Sequence, residues 1–263
     1  MSSTTELFAS ARIQRRIIGA LVMREILTRY GRGNVGYMWL FIEPMMFTSG
    51  VLILWTALRT ENLIAVPIIA FTLSGYMTVL LWRNCINRCG NAIEPNRALM
   101  HHRNVRVIDM FAARVVLEIS GVTMAFLIMG LGLCAAGAMS PPEDLLKMIF
   151  AWLLLAWFSL DMAFIVGSLV VINESVERIW HVFGYLFLPL SGAFYMVSWL
   201  PKFLQSLALW IPTVNCTELL REGLFGSRVV AHYSIQYVLM LDVVLMLPAL
   251  LLIRYVASRV EGE

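Results

Sequence analysis

Six times between residues 36 and 255 the chain runs mainly apolar for about 20 residues, and nothing constrains its fold more. A helix rising about 1.5 Å per residue needs that length to cross about 30 Å of hydrocarbon. The runs cover approximately residues 36–58, 64–82, 107–139, 145–172, 179–200 and 235–255. They predict an all-α polytopic membrane protein of six transmembrane helices, the third and fourth long enough to tilt or project. Composition agrees, with 60% of residues hydrophobic and 14% charged, where soluble domains carry about 45–50% and about 25%. That much apolar surface needs lipid as its solvent, which excludes a soluble enzyme, a disordered chain and a disulfide scaffold.

Basic residues orient these spans. Fourteen fall on one side, in the N-terminal segment, the connection after the second run, the connection before the fifth and the C-terminal tail. Five (Arg59, Lys147, Lys202, Arg221 and Arg228) fall on the other, and Arg114 lies within the third run. Both termini are therefore expected in the cytoplasm. Aromatic residues mark the ends as interfacial belts do: Trp39, Trp82, Trp180 and Tyr255 at one face, Trp55, Trp199, Trp210, Tyr233 and Tyr237 at the other.

Three segments outside the spans stand out. Residues 1–35 hold no apolar core or cleavage site of a signal peptide. Around residues 10–22 they place Arg12, Arg15 and Arg16 on one helical face and Ile13, Ile17, Ala20 and Leu21 on the opposite one. Such a helix lies in the membrane interface. The stretch 83–106 is too polar for a span and too long for a turn, and predicts a short cytoplasmic helix near 93–102. On the other side, 201–234 holds two short apolar pieces, 203–211 and 219–231, broken at Ile211-Pro212-Thr213. Lipid-exposed backbone cannot stay unpaired, so a re-entrant helical pair is expected.

Chemical motifs are scarce. Gly31-x-Gly33-x-x-Gly36 spells a dinucleotide fingerprint, but no strand precedes it and a span follows. No Walker A sequence occurs, so ATP would be bound by another chain. Cys85 and Cys89 share a helix face without the further ligands a metal needs, and no metal is expected. No nucleophile, base and orienting residue assemble into a catalytic set, so the chain reads as no enzyme. Asn215-x-Thr217 spells a glycosylation sequon by coincidence. Of the ionisable residues within spans, Glu43, Asp161, His181 and Asp242 invite a functional reading. Arg114 and Glu118, four apart, are expected to pair on their own helix. Asp161 fits a bundle-interior hydrogen-bond partner better than a proton relay, which would need several facing carboxylates.

A basic helix, six spans, a large cytoplasmic connection after the second and a re-entrant pair before the sixth make up the chain's order. Residues 29–44 read RYGRGNVGYMWLFIEP: a basic cluster, Gly36, Trp39 three residues later, then Glu43 and Pro44 entering the first span. In these features the chain resembles the membrane permease of polysaccharide ABC exporters, and Glu43-Pro44 most resembles the capsule-export branch. The resemblance divides it into an interface helix (1–35) and a six-helix transmembrane domain (36–263). It implies a homodimer in the bacterial inner membrane bound to two copies of a separate ATPase, which holds ATP and Mg. It also implies periplasmic co-polymerase and outer-membrane export proteins as partners, and no nucleic acid. Coupling to the ATPase falls on Glu94, Pro95, Asn96 and Arg97, beside the interface helix with Arg12, Arg15 and Arg16. The re-entrant region 201–234 closes the periplasmic mouth. The implied substrate is a lipid-linked, usually acidic polysaccharide, for which Tyr37, Trp39, Tyr76, Trp82, Tyr185 and Tyr195, with Arg83 and Arg114, are candidate channel residues. Related exporters of O-antigen, teichoic acid or small molecules share the topology, and an ATP-independent transporter using Asp161 is the remaining alternative.

Overall fold

The computed structural model describes residues 2–31, 37–58, 66–96 and 105–260, with backbone alone for residues 2–9. Among them nine α-helices follow one another and no strand occurs: α1 Ser2–Tyr30, α2 Trp39–Ala57, α3 Ile68–Cys89, α4 Val107–Ala135, α5 Leu145–Ile172, α6 Ser175–Phe187, α7 Lys202–Ala208, α8 Pro212–Phe225 and α9 Ile235–Val260. Four of them (α2, α4, α5 and α9) are long and apolar enough to cross a membrane. The architecture is that of a helical membrane protein.

Several of the other helices surround α3. Most of its 22 residues are buried, and it packs against α2, α4, α5 and α8. Enclosure by protein lets it carry hydroxyls that lipid would exclude, provided they are bonded. Ser74 donates to the Phe71 carbonyl at 2.9 Å and Thr78 to that of Gly75 at 2.7 Å. Helix α2 contains Pro44, which lacks a backbone N–H, and the buried Thr48 hydroxyl bonds back to the Pro44 carbonyl at 2.8 Å. The start of α5 is set by Asp144, whose side chain accepts the Lys147 N–H at 3.0 Å.

Helix α1 lies along α4. Ile17 and Leu21 pack against Met110 and Ala113, as the amphipathic pattern suggests. Ile13 of the same expected apolar face is 59% exposed, however, and Ala20 is exposed too. The apolar contact is narrower than periodicity implied because polar residues of α1 make much of the docking. One is Gln14, whose side-chain amide donates to Asp109 at 2.6 Å.

The expected fifth span is not one helix. α6 stops at Phe187, followed by a 3₁₀ turn at Leu188–Leu190, a turn through Gly192 (φ 83°) and a second 3₁₀ turn at Val197–Trp199. Pro189 cannot donate the bond that would continue the helix, and Gly192 adopts a left-handed conformation open to glycine. The pair expected in 203–211 and 219–231 consists instead of α7 and a longer α8 beginning at Pro212. Proline is preorganised for a first helical position, where its missing N–H costs nothing. Trp82, assigned above to an interfacial belt, is only 2% exposed and meets Phe187 edge-on at 5.6 Å. It belongs to the core. Trp55 and Trp199 stack on Phe194 (6.2 Å) and Phe71 (5.2 Å) rather than standing free.

Candidate functional site: a groove along α3

Read at helical spacing, one face of α3 carries Tyr76, Leu80, Arg83, Asn84, Asn87 and Arg88. Glu43, Pro44 and Phe47 of α2 form one wall over this face, and Glu177, His181 and Tyr185 of α6 form the other, around a groove of about 670 Å³. Asn91 and Arg114 close it near Arg88. The Arg83 guanidinium stands 4.5 Å from the Tyr185 ring centroid, within cation–π range. Arg88 reaches Glu43 at 3.4 Å. Arg114 donates to the carbonyls of Arg88 at 3.3 Å and Asn91 at 3.1 Å. Guanidiniums, side-chain amides and tyrosine faces therefore converge on one volume. Against the carboxylates of Glu43 and Glu177, the three guanidiniums leave a net positive lining, which suits a polar, anionic, ring-containing ligand. A second hollow of about 570 Å³ runs along α2, lined by Trp39, Met46, Phe47, Gly50 and Val51, and shares Glu43 and Phe47 with the groove. A charged basin thus adjoins an apolar trough.

Helix α1 reaches the Arg88 end of the groove through three nearly adjacent residues. Arg24 donates to the Asn96 side chain and to the Pro95 carbonyl, both at 2.8 Å. Glu25 pairs with Arg114 at 3.2 Å. Arg29 pairs with Glu118 at 2.6 Å, and Glu118 lies 4.0 Å from Arg88. Burial by itself would lower the Arg29 pKa, but the Glu118 carboxylate more than offsets it, and the group titrates above its ordinary value. The pair expected within α4 thus turns outward: Arg114 and Glu118 both engage α1. A helix's own i,i+4 spacing cannot reveal a partner about 90 residues away in the chain.

At the other end of α3, helix α8 presents Asn215, Glu218 and Arg221 to irregular backbone on both sides. Arg221 donates to the carbonyls of Gly192, Ala193 and Tyr195 at 2.8, 2.6 and 2.6 Å. Glu218 accepts the N–H groups of Val197 and His232 at 3.1 and 3.0 Å. Asn215 donates to the Leu209 and Ile211 carbonyls and accepts from Ser234 N–H, at 2.8, 3.0 and 2.8 Å. Arg221, counted above among solvent-side cations, is fully buried. The broken run 188–199 leaves carbonyls that only a multidentate donor can satisfy together. Asn215 is buried and bonded, so its sequon offers no accessible acceptor.

The structure brings Tyr76, Arg83, Arg114 and Tyr185 together in the groove with Glu43 and Pro44, and Trp39 in the adjoining trough. Tyr37 is exposed and edge-on to Phe41 at 6.4 Å. Trp82 and Tyr195 are not in the groove. The Tyr195 hydroxyl bonds the Leu190 carbonyl at 3.0 Å, inside the turn that Arg221 holds. Glu94, Pro95 and Asn96 form a single 3₁₀ turn, whereas Arg97, Gly36 and most of the expected helix 93–102 lie outside the described residues. Arg12, Arg15 and Arg16 are exposed on α1. Sequence reading missed Asn84, Asn87 and Arg88 of the groove, although their spacing from Tyr76 places them on one helix face. It missed Glu25 and Glu218 because buried acids carry no sequence signal apart from their partners.

Fold and span composition define a helical membrane protein, and the chain belongs to the family of capsule polysaccharide export inner-membrane proteins. It is 40% identical over 98% of both chains to the capsule polysaccharide export inner-membrane protein CtrC of Neisseria meningitidis serogroup B. It is 38% identical to BexB of Haemophilus influenzae, a protein of the same description, over 97% of this chain and 96% of that one. The polysialic acid transport protein KpsM of Escherichia coli is 27% identical over 92% of this chain and 94% of its own. No family model matches the chain.

Proposed function

We propose that this chain is the permease of an ATP-driven exporter that moves a lipid-linked, acidic capsular polysaccharide across the inner membrane. Two copies form the channel, both termini face the cytoplasm, and two copies of a separate ATPase supply the energy with ATP and Mg bound to them. The observation that carries this reading is the groove along α3. Arg83, Arg88 and Arg114 supply charge complementary to acidic sugars, while Tyr76 and Tyr185 supply faces on which pyranose rings stack. The adjoining trough beside Trp39, Met46 and Phe47 suits the lipid end of such a substrate. Glu94, Pro95, Asn96 and Arg97 couple the permease to its ATPase. Residues 201–234, with α7 and α8 as a re-entrant pair, close the periplasmic mouth. The capsule and polysialic acid export named for the relatives supports the capsule branch over O-antigen, teichoic acid or small-molecule export.

The test is capsule at the cell surface in a strain lacking the native gene, complemented by variants of equal abundance. Arg83→Ala and Tyr185→Ala are expected to lower surface polysaccharide about tenfold or more, as loss of a charge-assisted contact and a stacking face together with packing predicts. Tyr185→Phe keeps the ring and is expected to export normally. Export unchanged in both alanine variants, or a purified permease that recruits no Walker-A ATPase, would remove this reading.

A further inference from the structure

Three α1 residues that touch the rest of the protein near the groove do not share one target. Arg24 grips the 3₁₀ turn Glu94–Asn96 with both terminal guanidinium nitrogens, one on the Asn96 side chain and one on the Pro95 carbonyl, each at 2.8 Å. Its chain neighbour Glu25, 9% exposed, is paired at 3.2 Å with Arg114, which lines the groove. One turn further on, Arg29 holds Glu118, and Glu118 stands 4.0 Å from Arg88, another groove residue. Arg114 also donates to the carbonyls of Arg88 and Asn91, so Arg88 and Arg114, two of the groove's three arginines, meet at the C-terminal end of α3. A helix is stiff along its axis, because every internal N–H is bonded one turn back. Gripped at Arg24 and paired at Glu25 and Arg29, α1 cannot follow the turn Glu94–Asn96 without drawing on Arg114 and Glu118.

We infer that α1 is the lever between the turn Glu94–Asn96 and the groove, with Arg24, Glu25 and Arg29 as positioning residues that set where Arg114 and Arg88 stand. This rests on the proposed function, in which that turn receives the ATPase and the groove receives substrate. When the turn moves, α1 moves with Arg24, and the guanidiniums of Arg114 and Arg88 shift relative to Tyr76, Arg83 and Tyr185. The groove's affinity for an anionic ligand then changes with the position of the coupling turn. Linkage makes the effect reciprocal: ligand in the groove biases the turn. Pairs held at low exposure suit this role, because they are screened little by salt and lose much if separated.

The experiment uses the full chain co-purified with its ATPase and reconstituted in proteoliposomes, alongside surface capsule in cells. Complex yield, ATP hydrolysis and exported polysaccharide are measured on the same variants. Arg24→Ala and Glu25→Gln are expected to yield complex and hydrolyse ATP while exported polysaccharide per ATP falls about tenfold, the size of a typical coupling between sites. Arg24→Lys, which keeps one of the two bonds, is expected to lie between. The swap Arg29→Glu with Glu118→Arg, neither of which lines the groove, restores that pair in reverse and is expected to recover export relative to Arg29→Glu alone. A purely structural role would lower complex yield and leave export per ATP unchanged. That result overturns the lever. If the single variants fail to assemble, the swap decides: a swap that assembles yet recovers no export also overturns it. A wild-type chain that recruits no ATPase defeats the proposed function instead, so the two failures are distinguishable.

Discussion

The Arg221 guanidinium lies 3.8 Å from the centre of the Phe71 ring while donating to three backbone carbonyls of the turn around Gly192. One buried side chain thus joins α8, α3 and the segment where the fifth apolar run breaks. Breaking a buried charged contact by removing one partner costs about 3–5 kcal/mol, and here three acceptors lose their donor at once. Arg221→Ala is expected to abolish stable folded protein. Arg221→Lys rescues little, because an ammonium lacks the planar fork and the flat face that covers Phe71. Thermal unfolding in detergent, followed by size-exclusion fluorescence, checks both.

Gly75 faces that same assembly. A Cβ there would overlap the Ala193 carbonyl oxygen and come within 2.7 Å of the Arg221 guanidinium. Neither can retreat, since each is fixed by the other. Gly75→Ala is expected to lower stability by about 1–3 kcal/mol, whereas Gly50→Ala, where a Cβ meets nothing within 4 Å, should leave the unfolding midpoint unchanged or slightly raised. Equal midpoints for the two variants would contradict the close approach.

Arg29 and Glu118 form the shorter of the two ion pairs between α1 and α4 among the described residues, at 2.6 Å, with side chains only 15% and 5% exposed. Either single change, Arg29→Met or Glu118→Gln, leaves a largely buried partner uncompensated. Together they should cost less than the sum of the two, by an interaction energy of about 1–3 kcal/mol. Denaturation of the four proteins of this cycle measures the difference. Additive losses would mean that the pair is not formed.

Asp161 on α5 and Asp242 on α9 are fully buried, and none of their four carboxylate oxygens has a hydrogen-bond donor among the described residues. Unpaired buried carboxylates are costly. Asp161→Asn and Asp242→Asn are therefore expected to fold with unfolding midpoints at or above that of the native chain, and to export normally. Export lost from a well-folded Asp161→Asn protein would give that carboxylate a role beyond packing.

Much of this was legible in one dimension. Span length and apolar composition mark α2, α4, α5 and α9 because crossing hydrocarbon is a local requirement on consecutive residues. The motif from Arg29 to Pro44 pointed to the family that the relatives establish. What failed were inferences that needed a second helix. Residues 179–200 are apolar enough to span, but Pro189 and Gly192 break the helix, and the break survives because Arg221, about 30 positions onward, bonds its carbonyls. Arg114 and Glu118 share a face at pairing distance, yet each finds a partner on α1. Trp82 has the chemistry of an interfacial residue and lies in the core because α3 is enclosed.

By itself, then, the sequence determined the class of fold, the polar helix at the front and the short helices broken at Pro212. It also placed Tyr76 and Arg83 at helical spacing on α3. Only the tertiary structure decided which arginines face the groove and which, like Arg221, are sealed inside. Charge is written locally in a sequence, but its energy depends on the donors, acceptors and water that the other helices bring or exclude.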